Sequence, residues 1–133
     1  MFSLTTRILV VDDSNIYREA MKQLLTELGY TQTVEADDGT TALEILSDAR
    51  QATIGLVISD WHMKQMSGMD LLLKVREDDK LKKMPFLLVT TEDQMNEVLQ
   101  AITAGVSDYI VKPVTKDILQ KKMASAFAKA SKY

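Results

Sequence analysis

The sequence contains no cysteine, which excludes disulfide bonds and thiolate metal sites. It also has no apolar run long enough to span a bilayer. Residues Met1 to Thr6 lack the charged start and apolar run that mark a signal peptide. Basic residues are not in excess, and the formal net charge of −3 does not favour a nucleic-acid partner. These absences predict a soluble, cytoplasmic protein without membrane insertion.

The composition is that of an ordinary globular domain. The chain has 133 residues, of which 46% are hydrophobic and 26% charged, and this is enough to bury the core of one domain. No internal repeat or linker divides the chain. We therefore predict a single domain over residues 7–133, preceded by a short N-terminal arm over residues 1–6.

Short β-branched apolar runs alternate with helix-period segments along the chain. Strands are predicted at residues 7–11, 32–36, 56–59, 86–89 and 109–111. The intervening helices are predicted to turn one apolar face inward. That face comprises Tyr17, Ala20, Met21, Leu24, Leu25, Leu28, Ala42, Leu43, Leu46, Leu72, Val75, Met95, Val98, Leu99, Ile102, Ile118, Leu119, Met123 and Phe127. This alternation predicts an α/β fold, a doubly wound parallel sheet of five strands covered by five helices.

Polar side chains follow the strongly predicted strands. Asp12 and Asp13 end the first strand, Asp60 the third, Thr90 the fourth and Lys112 the fifth. Because parallel strands deliver their carboxyl ends to one edge of the sheet, these groups are expected to meet there. Three carboxylates at that edge repel, at roughly 3 kcal/mol per pair for a separation of about 5 Å and an effective dielectric near 20.

A divalent cation with oxygen ligands would relieve this repulsion. Magnesium suits one or two carboxylates together with water and a phosphate. Phosphoryl transfer needs a positioned oxygen nucleophile, a metal and a neutralising cation, and a carboxylate can itself be the nucleophile. Lys112 can supply the cation and Thr90 a hydroxyl donor. The pattern predicts a Mg²⁺-dependent site at which a carboxylate accepts a phosphoryl group.

At these residues the chain resembles the response-regulator receivers, and most closely the stand-alone chemotaxis (CheY-like) type. The resemblance covers nearly the whole chain. The matching stretches are Leu9-Val10-Val11-Asp12-Asp13, Val57-Ile58-Ser59-Asp60-Trp61, Val89-Thr90 and Tyr109-Ile110-Val111-Lys112-Pro113. The resemblance implies the flavodoxin-like strand order 2-1-3-4-5.

The resemblance also implies roles for the polar residues around a magnesium ion. Asp60 would be the phosphoacceptor, and Asp13 and Asp60 would bind Mg²⁺ directly. Asp12 would bind the ion through water, and His62 would offer it a backbone carbonyl.

Further roles concern the phosphoryl group and the response to it. Thr90 and Lys112 would contact the phosphoryl oxygens. Thr90 and Tyr109 would then move together as a switch, and the Lys112–Pro113 bond would be cis.

Some positions depart from the family's pattern. Lys64 stands where a proline is usual, and His62 where chemotaxis proteins often have asparagine. The acidic stretch Glu92-Asp93-Gln94 replaces a basic one, although Thr91 and Gln94 have the spacing of a capping box.

The implied function is a signalling switch rather than a classical enzyme, although it would catalyse its own phosphorylation and dephosphorylation. The phosphodonor would be a sensor histidine kinase or acetyl phosphate. We expect no attached output domain after residue 133, so the output would be another protein, such as the flagellar motor switch, and a phosphatase is a possible further partner. The alternative is a phosphorelay intermediate or a phosphate sink.

The same residues also allow other interpretations, as helix caps or as parts of other protein classes. Asp12 and Asp13 could cap the first helix, and Asp37 and Asp38 are interpreted as turn and cap residues. An aspartyl-phosphate phosphatase would need a second acid at residue 62, where the sequence has histidine. A flavodoxin-like electron carrier would bind a flavin phosphate beside the first strand, where two carboxylates would repel it.

Overall fold

The computed structural model describes residues 1–48, 50–51, 53–91 and 95–130. Strands and helices alternate along the chain as predicted. They are β1 (Ile8–Val11), α1 (Asn15–Glu27), β2 (Thr33–Ala36), α2 (Gly39–Ser47), β3 (Leu56–Asp60), α3 (Gly68–Glu77), β4 (Phe86–Thr90), α4 (Met95–Thr103), β5 (Asp108–Val111) and α5 (Lys116–Ala130). Gln94 of the predicted capping box, the acidic Glu92 and Asp93, and the side chain of Met95 lie outside the described part.

The five strands form one parallel sheet in the order β2-β1-β3-β4-β5, which confirms the predicted topology. The strand ends are in register. Val11 pairs with Ala36 on one side and with Ser59 on the other, and Thr90 pairs with Val111. The order reverses beside β1, so the edge beyond β1 and β3 is the place where a doubly wound sheet binds ligands.

The core has two layers, one on each face of the sheet. Along β1, Leu9 and Val11 face one layer, whereas Ile8 and Val10 face the other. The first layer is completed by buried residues of α2, α3 and α4, and the second by those of α1 and α5. A sheet covered on both faces leaves its carboxyl edge as the open side for chemistry.

Part of the predicted inward face is wrong. Tyr17 and Ala20 in α1, Leu99 and Ile102 in α4, and Ile118 and Phe127 in α5 are exposed. Helix α4 buries the small side chain of Ala101, and α5 buries Leu119, Met123 and Ala126. In these helices the buried stripe is narrower than the apolar stripe, so apolar residues at the edge of the stripe remain exposed.

The residues at two helix ends explain where those helices stop and start. Gly29 has a φ of 97° just after α1, a conformation that favours glycine at a helix end. Asp38 is the N-cap of α2, and its side chain accepts a hydrogen bond from the Thr41 amide, as its interpretation as a cap requires. Among the described residues, no helix is both long and apolar enough to cross a membrane.

The N-terminal segment packs on the domain. Phe2 is buried, its carbonyl oxygen accepts a hydrogen bond of 2.7 Å from the Tyr30 hydroxyl, and its ring meets that of Phe127 edge to face. The boundary between an arm at residues 1–6 and a domain from residue 7 stays a prediction.

Candidate functional site

The loop after β1 fixes the first carboxylate. The Asp12 amide donates to the Ala36 carbonyl at 3.1 Å, which continues the β1–β2 ladder by one residue. The Asp12 side chain, only 7% exposed, accepts a hydrogen bond of 2.9 Å from the Ser14 amide. Ser14 is the N-cap of α1, so the interpretation of Asp12 and Asp13 as caps of this helix is wrong. Both aspartates are left available at the sheet edge, with Asp13 exposed.

Asp60 lies at the last position of β3 and is only partly exposed. The next residue, Trp61, is buried, and its amide donates to the Val89 carbonyl at 2.8 Å. The chain then folds back so closely that a Cβ at Gly68 would clash with the Asp60 carbonyl oxygen. Gly68 was missed in the sequence, although a glycine just after the helix-capping Ser67 is a readable sign of close approach.

The ends of β4 and β5 supply the hydroxyl and the cation. Thr90 is 1% exposed, and its carbonyl oxygen accepts a hydrogen bond of 2.8 Å from the Lys112 amide. The Lys112 Nζ atom lies 3.3 Å from Asp60 Oδ1. The Lys112–Pro113 peptide bond is cis, as the resemblance implies.

The three aspartates converge as predicted. One carboxylate oxygen from each of Asp12, Asp13 and Asp60 lies within 4.8 Å of the other two. This set contains only hard oxygen donors, which fits magnesium and does not fit a thiophilic metal. In the described part of the chain, Lys112 is the cationic residue that forms an ion pair with one of these carboxylates, that of Asp60.

The electrostatics show that the cluster is short of positive charge. Burial raises the pKa of Asp60, against the lowering effect of Lys112 and of a hydrogen bond from the Trp61 amide. Burial also raises the pKa of Asp12, and the neighbouring Asp60 and Asp13 add to this increase. A bound cation would remove this penalty, since it favours the ionised carboxylates.

Arg18 also supports the site and was missed in the sequence. Its Nη1 donates to the Asp12 carbonyl oxygen at 2.6 Å, and its Nε pairs with Glu35 Oε1 at 3.1 Å. This contact ties the loop after β1 to strand β2. An arginine on the polar side of a helix gives no sequence signal for such a backbone contact.

The other predicted residues lie around this centre. His62 is exposed, and its Nε2 lies 3.7 Å from Glu97 Oε1. Tyr109 is half-buried in β5 and packs against the core. The metal contact of the His62 carbonyl and the coupling of Thr90 to Tyr109 stay predictions.

Comparisons with known proteins agree with this geometry. The family described as "Response regulator receiver domain" matches residues 8–124. The chain is 42% identical to the chemotaxis protein CheY of Pseudomonas aeruginosa over 125 residues, covering 94% of this chain and 98% of that protein. It is 44% identical to the chemotaxis protein CheY1 of Helicobacter pylori over 117 residues, covering 88% and 93%.

Solved structures give the same result for the fold. The chemotaxis protein CheY4 of Vibrio cholerae superposes with a TM-score of 0.82 at 29% identity, covering 92% of this chain and 98% of that one. A response regulator receiver domain protein from Clostridium thermocellum gives a TM-score of 0.83 at 27% identity, covering 95% and 97%.

Proposed function

Because the chain belongs to the response-regulator receiver family, we propose that it is a phosphorylatable signalling switch with Asp60 as its phosphoacceptor. The observation that carries this proposal is the contact of Lys112 with Asp60, at 3.3 Å, beside two further carboxylates. A nucleophile, its neutralising cation and a set of magnesium ligands thus lie at one edge of the sheet.

The transfer step uses residues that are already close together. One Asp60 carboxylate oxygen attacks the phosphorus of the donor, and an O–P bond forms as the bond to the donor's leaving atom breaks. The leaving atom is nitrogen in a phosphohistidine of a sensor kinase and oxygen in acetyl phosphate. The Lys112 ammonium then pairs with a phosphoryl oxygen, and the Thr90 hydroxyl donates to another.

The donor set would hold Mg²⁺ through Asp13 and Asp60 directly, through Asp12 by way of water, and through the carbonyl of His62. A bound magnesium ion supplies positive charge that offsets the negative charge of the phosphoryl oxygens. Local contacts orient these residues: the hydrogen bond from the Ser14 amide fixes the ligand Asp12, and the close approach of Gly68 fixes the backbone of the nucleophile Asp60.

The output is proposed to run from Thr90 to Tyr109 and to the surface formed by α4, β5 and α5. The curated relatives named above are chemotaxis proteins, which supports a partner at the flagellar motor switch and a cytoplasmic setting. A phosphatase would be a further partner. A phosphorelay intermediate or phosphate sink would share the chemistry and would differ by not binding the motor switch when phosphorylated.

The first experiment uses Trp61, the only tryptophan, which is buried next to Asp60. We expect its fluorescence to change on titration with Mg²⁺ and to change again on addition of beryllofluoride or acetyl phosphate. The variant Asp60→Asn should lose the second change. Asp37→Asn is the matched control, because Asp37 is an exposed aspartate at the neighbouring end of β2.

The outcomes separate the proposal from its rivals. A second change in the wild type and in Asp37→Asn, but not in Asp60→Asn, would support Asp60 as the acceptor. An unchanged response in Asp60→Asn would assign the acceptor to another residue, and no response of the wild type to either addition would remove the phosphorylation site altogether.

A further inference from the structure

Tyr17 occupies a position that the amphipathic pattern of α1 does not explain. Its ring was predicted to turn inward, but the residue is 54% exposed. The space beside it is available, because a cavity of about 390 Å³ lined by Met21, Leu24 and Val114 adjoins the residue. Tyr17 and Lys112 both line this cavity, so the ring can present its π face to a cation there.

The ring of Tyr17 contacts Lys112. The Lys112 Nζ atom lies over the Tyr17 ring, 4.1 Å from its centre, and the same atom lies 3.3 Å from Asp60 Oδ1. The ammonium group thus contacts both a carboxylate and the face of an aromatic ring. Cation–π attraction operates within about 6 Å of the ring centre, so this geometry is favourable.

A lysine needs such a restraint more than an arginine does. Its ammonium group sits on a flexible four-carbon stem with several accessible rotamers. In this site, two other carboxylates, those of Asp12 and Asp13, compete for the same charge. A ring face in contact with the ammonium group limits these alternatives and keeps the charge beside Asp60.

We propose that Tyr17 is a positioning residue whose ring holds the Lys112 ammonium group in line for the phosphoryl group on Asp60. The proposal rests on the proposed function of Asp60. In this role Tyr17 transfers no proton and makes no direct contact with the phosphoryl group. The aromatic face carries the effect, and the phenol hydroxyl is dispensable.

The side chain of Tyr17 can be changed with little structural cost. Its contact with the N-cap of α1 is made by the backbone amide, which donates to Ser14 Oγ at 3.3 Å and is kept in every variant. Because more than half of the residue is exposed, truncating the ring leaves only a small cavity. Its effect on the chemistry can therefore be separated from an effect on folding.

The test compares Tyr17→Leu, which removes the aromatic face, with Tyr17→Phe, which keeps it. Phosphorylation by acetyl phosphate is followed through Trp61 fluorescence, and Mg²⁺ affinity is titrated separately. We expect Tyr17→Leu to slow phosphorylation by about threefold to tenfold, and Tyr17→Phe to stay within about twofold of the wild type. Ile16→Ala, at an exposed neighbouring position of α1, is the control and should also stay within about twofold.

A positioning role predicts that Mg²⁺ affinity remains within about twofold in all three variants, since the carboxylates are untouched. Three results would overturn the inference: an unchanged rate in Tyr17→Leu, an equal loss in Tyr17→Phe, or a parallel loss of Mg²⁺ affinity. A wild-type protein without a phosphorylation response would instead overturn the function proposed for Asp60, and this inference with it.

Discussion

Among the described residues, two groups have a lysine that pairs with an aspartate and lies over a tyrosine ring. The site triad consists of Asp60, Lys112 and Tyr17, and the β5 triad consists of Asp108, Lys122 and Tyr109. The Lys–Asp distances are 3.3 Å in the site triad and 3.0 Å in the β5 triad. The corresponding distances from Nζ to the ring centre are 4.1 Å and 4.8 Å.

The two aspartates nevertheless differ in their protonation equilibria. Burial raises the pKa of Asp60, and the nearby Asp13 adds to the increase despite the opposing charge of Lys112. Burial would raise the pKa of Asp108 too, but hydrogen bonds from Ser125, from the Tyr109 amide and from Lys122 lower it below its usual value.

An aspartate, a lysine and a tyrosine can therefore form either a structural contact or a reactive site. In the β5 triad, hydrogen bonds and the charge of Lys122 outweigh burial and stabilise the ionised carboxylate, and the Asp108–Lys122 ion pair joins β5 to α5. In the site triad, burial and the negative charge of Asp13 disfavour the ionised carboxylate of Asp60. Lys112 and the Trp61 amide compensate for only part of this effect. A phosphoryl group with its metal can supply that compensation, which is why the poorly satisfied aspartate is the better candidate for chemistry.

The largest expected difference between the triads is in phosphorylation itself. Asp60→Asn should abolish formation of the acyl phosphate, because the amide has no nucleophilic carboxylate oxygen. Asp108→Asn should keep at least about half of the wild-type level, because the change leaves the site residues in place. Hydroxylamine-labile label from a radioactive donor measures both. Label that survives in Asp60→Asn would point to a different acceptor.

The second prediction concerns the two lysines. Lys112→Arg should still allow phosphorylation but slow it by about tenfold, because a planar guanidinium group cannot reproduce the contacts of a compact ammonium group with Asp60 and the Tyr17 ring. Lys122→Arg should leave the rate within about twofold. Stopped-flow Trp61 fluorescence with acetyl phosphate gives both rates. A wild-type rate in Lys112→Arg would remove Lys112 from the transfer step, and an equal loss in Lys122→Arg would remove the contrast between the two lysines.

The strand ends illustrate how much of the site could be predicted. Asp12, Asp60, Thr90 and Lys112 each lie at or just after the end of a strand, and parallel pairing in register brings such ends together. Sequence patterns therefore determine the sheet and the polar residues along its carboxyl edge. The sequence order of the strands does not itself report their order in the sheet, and the family resemblance was needed for that.

Side-chain contacts between elements, including that of Tyr17 with Lys112, could not be predicted in this way. Tyr17 and Phe127 carry apolar surface at helical spacing, but their final positions depend on the side chains that they meet across the fold. Arg18 contacts a backbone carbonyl, and any residue type offers that group. Such contacts depend on tertiary geometry, whereas periodicity records only the average environment of a face.

The third prediction is that the same substitution has opposite effects on stability in the two triads. Without magnesium at neutral pH, Asp60→Asn should raise the free energy of unfolding by about 1 kcal/mol, since it removes a poorly compensated charge. Asp108→Asn should lower it by about 1 kcal/mol, since it removes a charge that its partners stabilise. Urea unfolding followed by circular dichroism measures both changes. A change of the same sign in both variants would remove the contrast between the aspartates.

The smallest expected effect is the pH dependence of these differences in stability. The folded pKa of Asp60 lies above its usual value of 3.8, so its destabilising charge is present at pH 7 and is lost as the pH falls through the folded pKa. The folded pKa of Asp108 lies below 3.8, so its stabilising charge persists until the pH falls below that value.

Urea titrations from pH 7 down to a pH just above 4 should therefore separate the two variants. Over this window the stability advantage of Asp60→Asn over the wild type should shrink, whereas the disadvantage of Asp108→Asn should stay constant. Saturating Mg²⁺ should reverse the sign for Asp60→Asn at neutral pH, because the ion binds more tightly to, and so stabilises more strongly, a protein that retains all three carboxylates. An advantage of Asp60→Asn that is independent of both pH and Mg²⁺ would show that it arises from packing, and the electrostatic contrast between the triads would then be wrong.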